Sequence, residues 1–203
     1  FCLNVSIDHT GEVVAAFAGD PIAAHRNGME YNYSRLGLAL DEQVDAIIVN
    51  SYPMDINLKQ SMKCVGNSLP ALKPGGVVMG FLRAERGVDD ISLPEDSKPL
   101  WLVKTILRLI GPSRVWGFLE KVKKGLNVEE KFLVYYSMQL IRQYELFFHV
   151  PSLSEREVKL LGFFRQHQTP QQVIDSAVKK IGKRARVAVF PRGGATFPVV
   201  GRR

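Results

Sequence analysis

Val44-Asp-Ala-Ile-Ile-Val-Asn50, followed by Pro53-Met-Asp55-Ile-Asn57-Leu-Lys-Gln60-Ser-Met-Lys63, is the stretch whose reading decides the fold of this chain. The first run is apolar and β-branched, the composition of a strand covered on both faces. The second opens with turn residues and continues at helical spacing. Strand, polar turn and helix make an α/β unit, and ligands of such folds are met beyond the carboxyl ends of the strands. The polar groups of residues 53–63 therefore stand where a site is expected.

With about 100° per residue and Leu58 at zero, Met62, Val65 and Leu69 fall at about 40°, 340° and 20°, one narrow apolar stripe. Gln60, Lys63 and Asn67 fall at about 200°, 140° and 180°, on the opposite side. If the stripe docks on the sheet, the amide of Gln60 and the ammonium of Lys63 point away from the core. Three residues apart, they are neighbours on a helix and can hold a carboxylate between them. The plain alternative is a solvated helix face. Asp55 or Asn57 is placed to cap the helix, whose start adds a preference for anions unless the Asp55 carboxylate cancels it.

Outward from this unit, Lys73-Pro74-Gly75-Gly76 reads as a turn and Val77 to Leu82 as a second buried strand. Upstream, Phe1 to Ile7 and Glu12 to Phe17 read as a strand pair around the turn Asp8-His9-Thr10-Gly11. Asp20-Pro21 supplies an N-cap with proline at the first helical position, and the helix runs to Leu36, ended by Gly37. Downstream, from Pro99 to about His149, the periodicity is helical. Trp101, Leu102, Thr105, Leu109 and Ile110 fall near one face, Gly111-Pro112 breaks the chain, and Val115 to Lys124 and Glu129 to Glu145 follow. This stretch reads as a helical insertion or a cover packed on the parent domain, rather than a helix lying on a membrane. Ser154-Glu-Arg-Glu157 and Thr169-Pro-Gln-Gln172 are capping boxes, the second for a helix to Ile181. Arg186 to Phe190 is a last strand, running into Pro191-Arg-Gly193-Gly194, another glycine loop at a strand end. The expected fold is α/β, a mostly parallel sheet with helices on both faces and a helical insertion around 99–149.

The 203 residues, 46% hydrophobic and 23% charged, suit one domain with a real core. Uncharged apolar runs such as Val77 to Leu82 are too short to cross a bilayer, so no membrane partner is expected. Cys2 and Cys64 make no disulfide framework, which fits a reducing cytoplasm. His9, His25, His149 and His167 are scattered without ligand spacing, so no metal site is expected from this chain. The net charge of +7 collects in Lys121-Lys123-Lys124, in Lys179-Lys180 with Lys183-Arg184-Arg186, and in Arg202-Arg203. These clusters lack interleaved aromatics and read as solvated faces, not as a nucleic-acid surface. The chain opens at Phe1 inside a strand and reads as a segment of a longer protein.

The runs Phe17-Ala-Gly-Asp20-Pro21-Ile-Ala-Ala24-His25-Arg26, Pro53-x-Asp55-x-Asn57-Leu-x-Gln60-x-x-Lys63 and Leu72-Lys-Pro74-Gly75-Gly76 together resemble the C-terminal domain of the lactate racemase family, the nickel-pincer-nucleotide-dependent 2-hydroxyacid racemases and epimerases. The likeness covers roughly the first 90 residues well and the last 50 loosely. It implies that residues 1–203 are one C-terminal α/β domain, closing an interdomain cleft with an N-terminal domain that this chain lacks. That partner domain would hold the nickel-pincer nucleotide, through a covalent lysine and a ligating histidine, and would supply the histidines that move the substrate proton. The x-Gln-x-x-Lys helix would contact the anionic end of a small 2-hydroxy acid. By that match the substrate-binding residues are Gln60 and Lys63, with Asp55 and Asn57 as cap or support, and no catalytic residue or metal ligand in this chain. The isolated domain is expected to be inactive.

The sequence also departs from the family. Lys59 precedes Gln60 where the family often has an aromatic residue, the loop from Asn50 to Asp55 is short and carries Tyr52, and His25 reads as a packing element and not as a proton shuttle. Two other readings stand beside the first. A Rossmann-like methyltransferase would explain the strand at Val44 and the Lys-Pro-Gly-Gly turn, but no GxGxG loop precedes Asp45. A non-catalytic scaffold domain would keep the fold without the chemistry.

Overall fold

In the computed structural model, residues 1–8, 10–89, 91–122, 125 and 127–201 are described. His9 of the first turn, Lys123, Lys124, Arg202 and Arg203 of the basic clusters lie outside the described residues. The first strand pair forms as an antiparallel hairpin, β1 (Cys2–Ile7) with β2 (Val13–Gly19), Leu3 opposite Ala18 and Val5 opposite Ala16. α1 (Pro21–Leu36) starts where Asp20 accepts from the N–H groups of Ile22 and Ala23. It lies on the hairpin, with Ser6 Oγ donating to Asn32 Oδ1 at 3.1 Å and the Phe17 ring against Tyr31. Gly37 ends the helix in extended backbone, not left-handed, because it is already the first residue of β3 (Gly37–Leu40). A Cβ there would stand 2.4 Å from the Tyr33 carbonyl oxygen.

β4 (Val44–Asn50) is the expected buried strand. The expected single helix from Ile56 to Leu69 is two short segments, α2 (Leu58–Ser61) and α3 (Lys63–Ser68), joined by Met62 in helical backbone. The Lys73–Gly76 turn is taken inside β5 (Leu72–Phe81) as a bulge, the register stepping from Val44 opposite Leu72 to Ala46 opposite Val77. The helical stretch is α4 (Leu100–Ile110), α5 (Pro112–Val122) and α6 (Val128–Gln143). Its last expected residues are instead strand β6 (Glu145–His149). Glu145-Leu-Phe-Phe-His149 is rich in strand formers and is buried against β5, which outweighs the helical periodicity that precedes it. α7 (Glu155–Leu161) and α8 (Pro170–Ile181) start at the two capping boxes, on Ser154 and Thr169. Between them lies the short β7 (Arg165–Gln166), and β8 (Val187–Phe190) and β9 (Phe197–Val200) complete the chain. β9 pairs in parallel with β3, joining the last strand to the segment that follows α1.

The main sheet has the order β7-β6-β5-β4-β8, parallel throughout. Helices cover both faces. On one, Ile47, Val49, Val78 and Phe148 pack with Leu58, Val65 and Leu140; on the other, Ala46, Val77, Met79 and Phe147 pack with Val173 and Ala177 of α8. The chain moves outward from β4 through β5 and β6 to β7, then returns to place β8 on β4's other edge. The connections therefore part between β4 and β8, the position where an open α/β sheet leaves a crevice at its carboxyl edge. No helix among the described residues is long and apolar enough to cross a membrane.

At the opposite, amino edge, Glu145 starts β6 under α4. Its carboxylate lies 2.7 Å from Lys104 Nζ and 3.5 Å from Lys180 Nζ. Burial alone would raise the Glu145 carboxyl, but the hydrogen bond from Lys104 and the charges of Lys104, Lys180 and Arg165 hold it below its ordinary value. A carboxyl lowered in the fold stabilises above its unfolded value, about 4.3, and that contribution is lost as pH falls through the lower folded value. Glu145→Gln is expected to cost roughly 1–2 kcal/mol at pH 7. It should also flatten the acid limb of a chemical-denaturation stability profile.

Candidate functional site at the sheet's carboxyl edge

The loops that follow β4, β5 and β8 meet at this edge. Ser51, fully buried directly after β4, is their junction. Its hydroxyl donates to the Asp55 carboxylate and accepts from the Arg83 N–H at 3.1 Å, while its carbonyl accepts from Met54 N at 2.7 Å. The loop after β5 clasps the same segment. Glu85 N donates to Asp55 O, Arg86 N to Ile56 O, and Leu58 N to Gly87 O, each at 2.8 Å. The backbone leading into α2 is thus fastened by a strand neighbour and not by local turn chemistry alone.

The structure separates the two capping candidates. Asn57 is the cap, its Oδ1 accepting from Gln60 N at 2.9 Å. Asp55 is not a cap; it belongs to the Ser51 junction. With four residues in α2 and six in α3, neither helix is long enough to carry the anion preference expected of a helix start. The wheel holds for Leu58 and Val65, which are fully buried, and for Lys63, which is exposed. Gln60 is half-buried. Asn67 turns out to be a tie, its Nδ2 donating to the Gly193 and Gly194 carbonyls at 3.2 and 3.4 Å. Ser61 and Ser68, polar in the sequence, are fully buried, and on the same wheel they fall at about 300° and 280°, beside the apolar stripe.

Sequence reasoning missed Ser51 and Arg83 and noted Tyr52 and the 191–194 loop without a role for them. Their signal is position, since each directly follows a strand that ends at this edge. Gly193 and Gly194 are glycines because the loop seats on the β4 end. A Cβ on Gly194 would lie 2.5 Å from Ser51 O, and one on Gly193 would lie 2.9 Å from Asn50 O. Arg192 lays its guanidinium 5.6 Å from the Tyr52 ring centre. Burial pushes the Cys64 thiol up, so it is no nucleophile.

Among the described residues, Gln60, Lys63 and Arg192 have no side-chain hydrogen-bond or ion-pair partner. Two cations near them do: Lys59 with Glu129 at 3.0 Å and Arg83 with Glu85 at 3.0 Å. Lys59 is therefore a strut to α6, not part of the polar face. Among the described residues no three His, Cys, Asp or Glu side chains gather where they could hold a metal ion. Among the described residues β1 and β2 form an antiparallel ribbon separate from the main sheet, so neither is a nucleotide-binding first strand of that sheet.

The whole architecture recurs in the lactate racemase apoprotein of Thermoanaerobacterium thermosaccharolyticum, which superposes with a TM-score of 0.72 at 20% identity over 97% of this chain. A lactate racemase from that organism is also 37% identical to this chain over 81 residues, 39% of its length. The chain is related to the lactate racemases. A second racemase, from Lactiplantibacillus plantarum, is 28% identical over 88 residues, 43% of the chain. The relation is to a part of these proteins. The matched residues make up 19% and 21% of the two racemase sequences, and the fold spans 45% of the solved racemase chain. No protein-family model matches the chain. As a racemase relative it carries the Gln60–Lys63 pair on an exposed turn of the carboxyl edge, with its loops locked from behind.

That locking is testable at the closest backbone approach. Gly194→Ala is expected to lower the thermal midpoint through an overpacking cost of about 1–3 kcal/mol. Solvent-facing Gly117→Ala, whose Cβ meets nothing within 4 Å, is expected to leave it unchanged or slightly raised.

Proposed function

We propose that this chain is the substrate-carboxylate-holding domain of a 2-hydroxyacid racemase or epimerase, with Lys63 and Gln60 as its substrate contacts. The observation that carries this reading is the pair of unpartnered polar side chains at the carboxyl edge, in a neighbourhood where other cations already have carboxylates. An ammonium with no internal partner keeps its Coulombic attraction for a ligand, and an amide N–H adds a directional bond that selects a planar carboxylate. Held by these two groups, a small 2-hydroxy acid would present C2 and its hydroxyl away from this domain. Asp55 and Asn57 support the pair, one through Ser51 and the other by capping the turn that carries Gln60.

The chemistry at C2 belongs to a companion domain, the part of the racemase architecture outside the share that this chain spans. The described residues offer no ligand set for nickel, so the nickel-pincer nucleotide implied by the resemblance would sit on that companion and supply hydride acceptance there. The outer face of the hairpin supports such a partner. Leu3, Val5 and Ile7 are 63%, 52% and 63% exposed and stand beside Val13 and Val14, whereas the polar Asn4 and Ser6 face α1. A two-stranded ribbon with its apolar side outward needs a cover. The two unpaired cysteines, Cys2 and Cys64, are in keeping with the cytoplasm.

Two measurements test these statements on the natural full-length protein. Lys63→Ala should weaken lactate binding, read by calorimetry, by about 1.5–3 kcal/mol, the range for a hydrogen bond to a charged group. Binding of lactamide, its uncharged analogue, should stay near its wild-type value. Equal lactate affinity in wild type and variant would favour the scaffold reading. Val5→Lys should leave the α/β core folded and expose amides of residues 2–19 to hydrogen exchange. Unchanged protection there would place the companion elsewhere.

A further inference from the structure

Lys63 and Arg192 come from opposite ends of the chain and flank one loop. Lys63 stands one helical turn before Asn67, on the same face of α3, and Asn67 holds the Gly193 and Gly194 carbonyls. Gly193 itself packs on the residue after Lys63, a Cβ at that glycine lying 3.0 Å from Cys64 Cβ. Arg192, next in chain, is kept on the same side by Tyr52, whose carbonyl accepts from Gly194 N at 3.2 Å. The glycine loop thus brings residue 192 to the stretch of α3 that carries Lys63, where the loops after β4 and β8 meet.

Like charges on adjoining segments repel unless a carboxylate stands between them. Here the nearby carboxylates are already committed. Asp55 is bonded to Ser51 and Glu85 to Arg83. Among the described residues neither Lys63 nor Arg192 has an acidic partner. The guanidinium is also half-immobilised on an aromatic ring, which reduces the ordering cost of binding a planar anion.

We infer that Arg192 is a specificity-determining contact for a second anionic group, so that the substrate class is a 2-hydroxy acid carrying two carboxylates rather than one. This rests on the reading that Lys63 and Gln60 hold the first carboxylate. Arg192 then takes the second, bidentately, on the outer side of the glycine loop, with Tyr52 orienting the fork. A monocarboxylate leaves Arg192 unsatisfied and gains nothing from it.

The test compares malate and lactate as probes on the full-length protein by calorimetry, for wild type, Arg192→Gln, Arg192→Lys and Lys63→Ala. The expected result is malate bound about tenfold or more tightly than lactate. Arg192→Gln should abolish that preference while leaving lactate affinity within twofold, and Arg192→Lys should restore part of it. Lys63→Ala should weaken both probes. Equal affinity for the two acids in wild type, or a malate preference that survives Arg192→Gln, overturns this inference. If Lys63→Ala still weakens lactate in that case, the proposed function stands. Failure of the wild type to bind either acid overturns both. Arg192 is exposed and outside the core, so circular dichroism of its variants should match wild type.

Discussion

The constraint on which the rest depends is the double parallel pairing of β4. It is hydrogen-bonded to β5 on one edge and β8 on the other, and both of its faces are covered by helices. A strand enclosed on four sides cannot slip in register without exposing Ile47 and Val49 and stranding its backbone groups. Everything at the carboxyl edge inherits its position from that immobility. The loops after β4, β5 and β8 start from three adjacent, parallel ends, so their first residues meet whatever the loops themselves prefer.

From this follows a division of labour among the polar residues. Ser51, Asp55, Asn57 and Asn67 spend their hydrogen bonds inside the protein, on the hydroxyl junction, the α2 cap and the glycine loop. Gln60, Lys63 and Arg192 do not. Buried polar atoms must be paired to be tolerated, while half-exposed ones can be left for a ligand. The boundary between the two groups runs along a single turn of backbone. The boundary is sharp, with Ser61 and Ser68 fully buried and Lys63 between them exposed.

The rest of the molecule serves as support. α6 carries Glu129 to Lys59 and fills the core beside α3, and the Glu145–Lys104 pair closes the far edge of the sheet. The hairpin and α1 form their own layer, with an apolar surface turned outward. The lactate racemase relation concerns a share of those proteins.

By itself the sequence determined the local elements with strong physical signatures. The buried runs at Val44 and Val77, the caps at Asp20, Ser154 and Thr169, and the parallel α/β class are all legible, because each depends on neighbours a few residues away, whereas only the structure chose Asn57 over Asp55 as the α2 cap. The apolar stripe at Leu58 and Val65 was legible for the same reason, and it put Lys63 on the outer side. Only the tertiary structure decided that Glu145–His149 leaves helical periodicity for a sheet strand, that Asn67 turns inward to hold a loop more than a hundred residues away, and that β9 pairs with β3. It also decided that the loop after Arg192 seats on Cys64, with Arg192 itself over Tyr52. These outcomes depend on which strand ends become neighbours, and that choice is made by burial of the whole sheet, a quantity no local window contains.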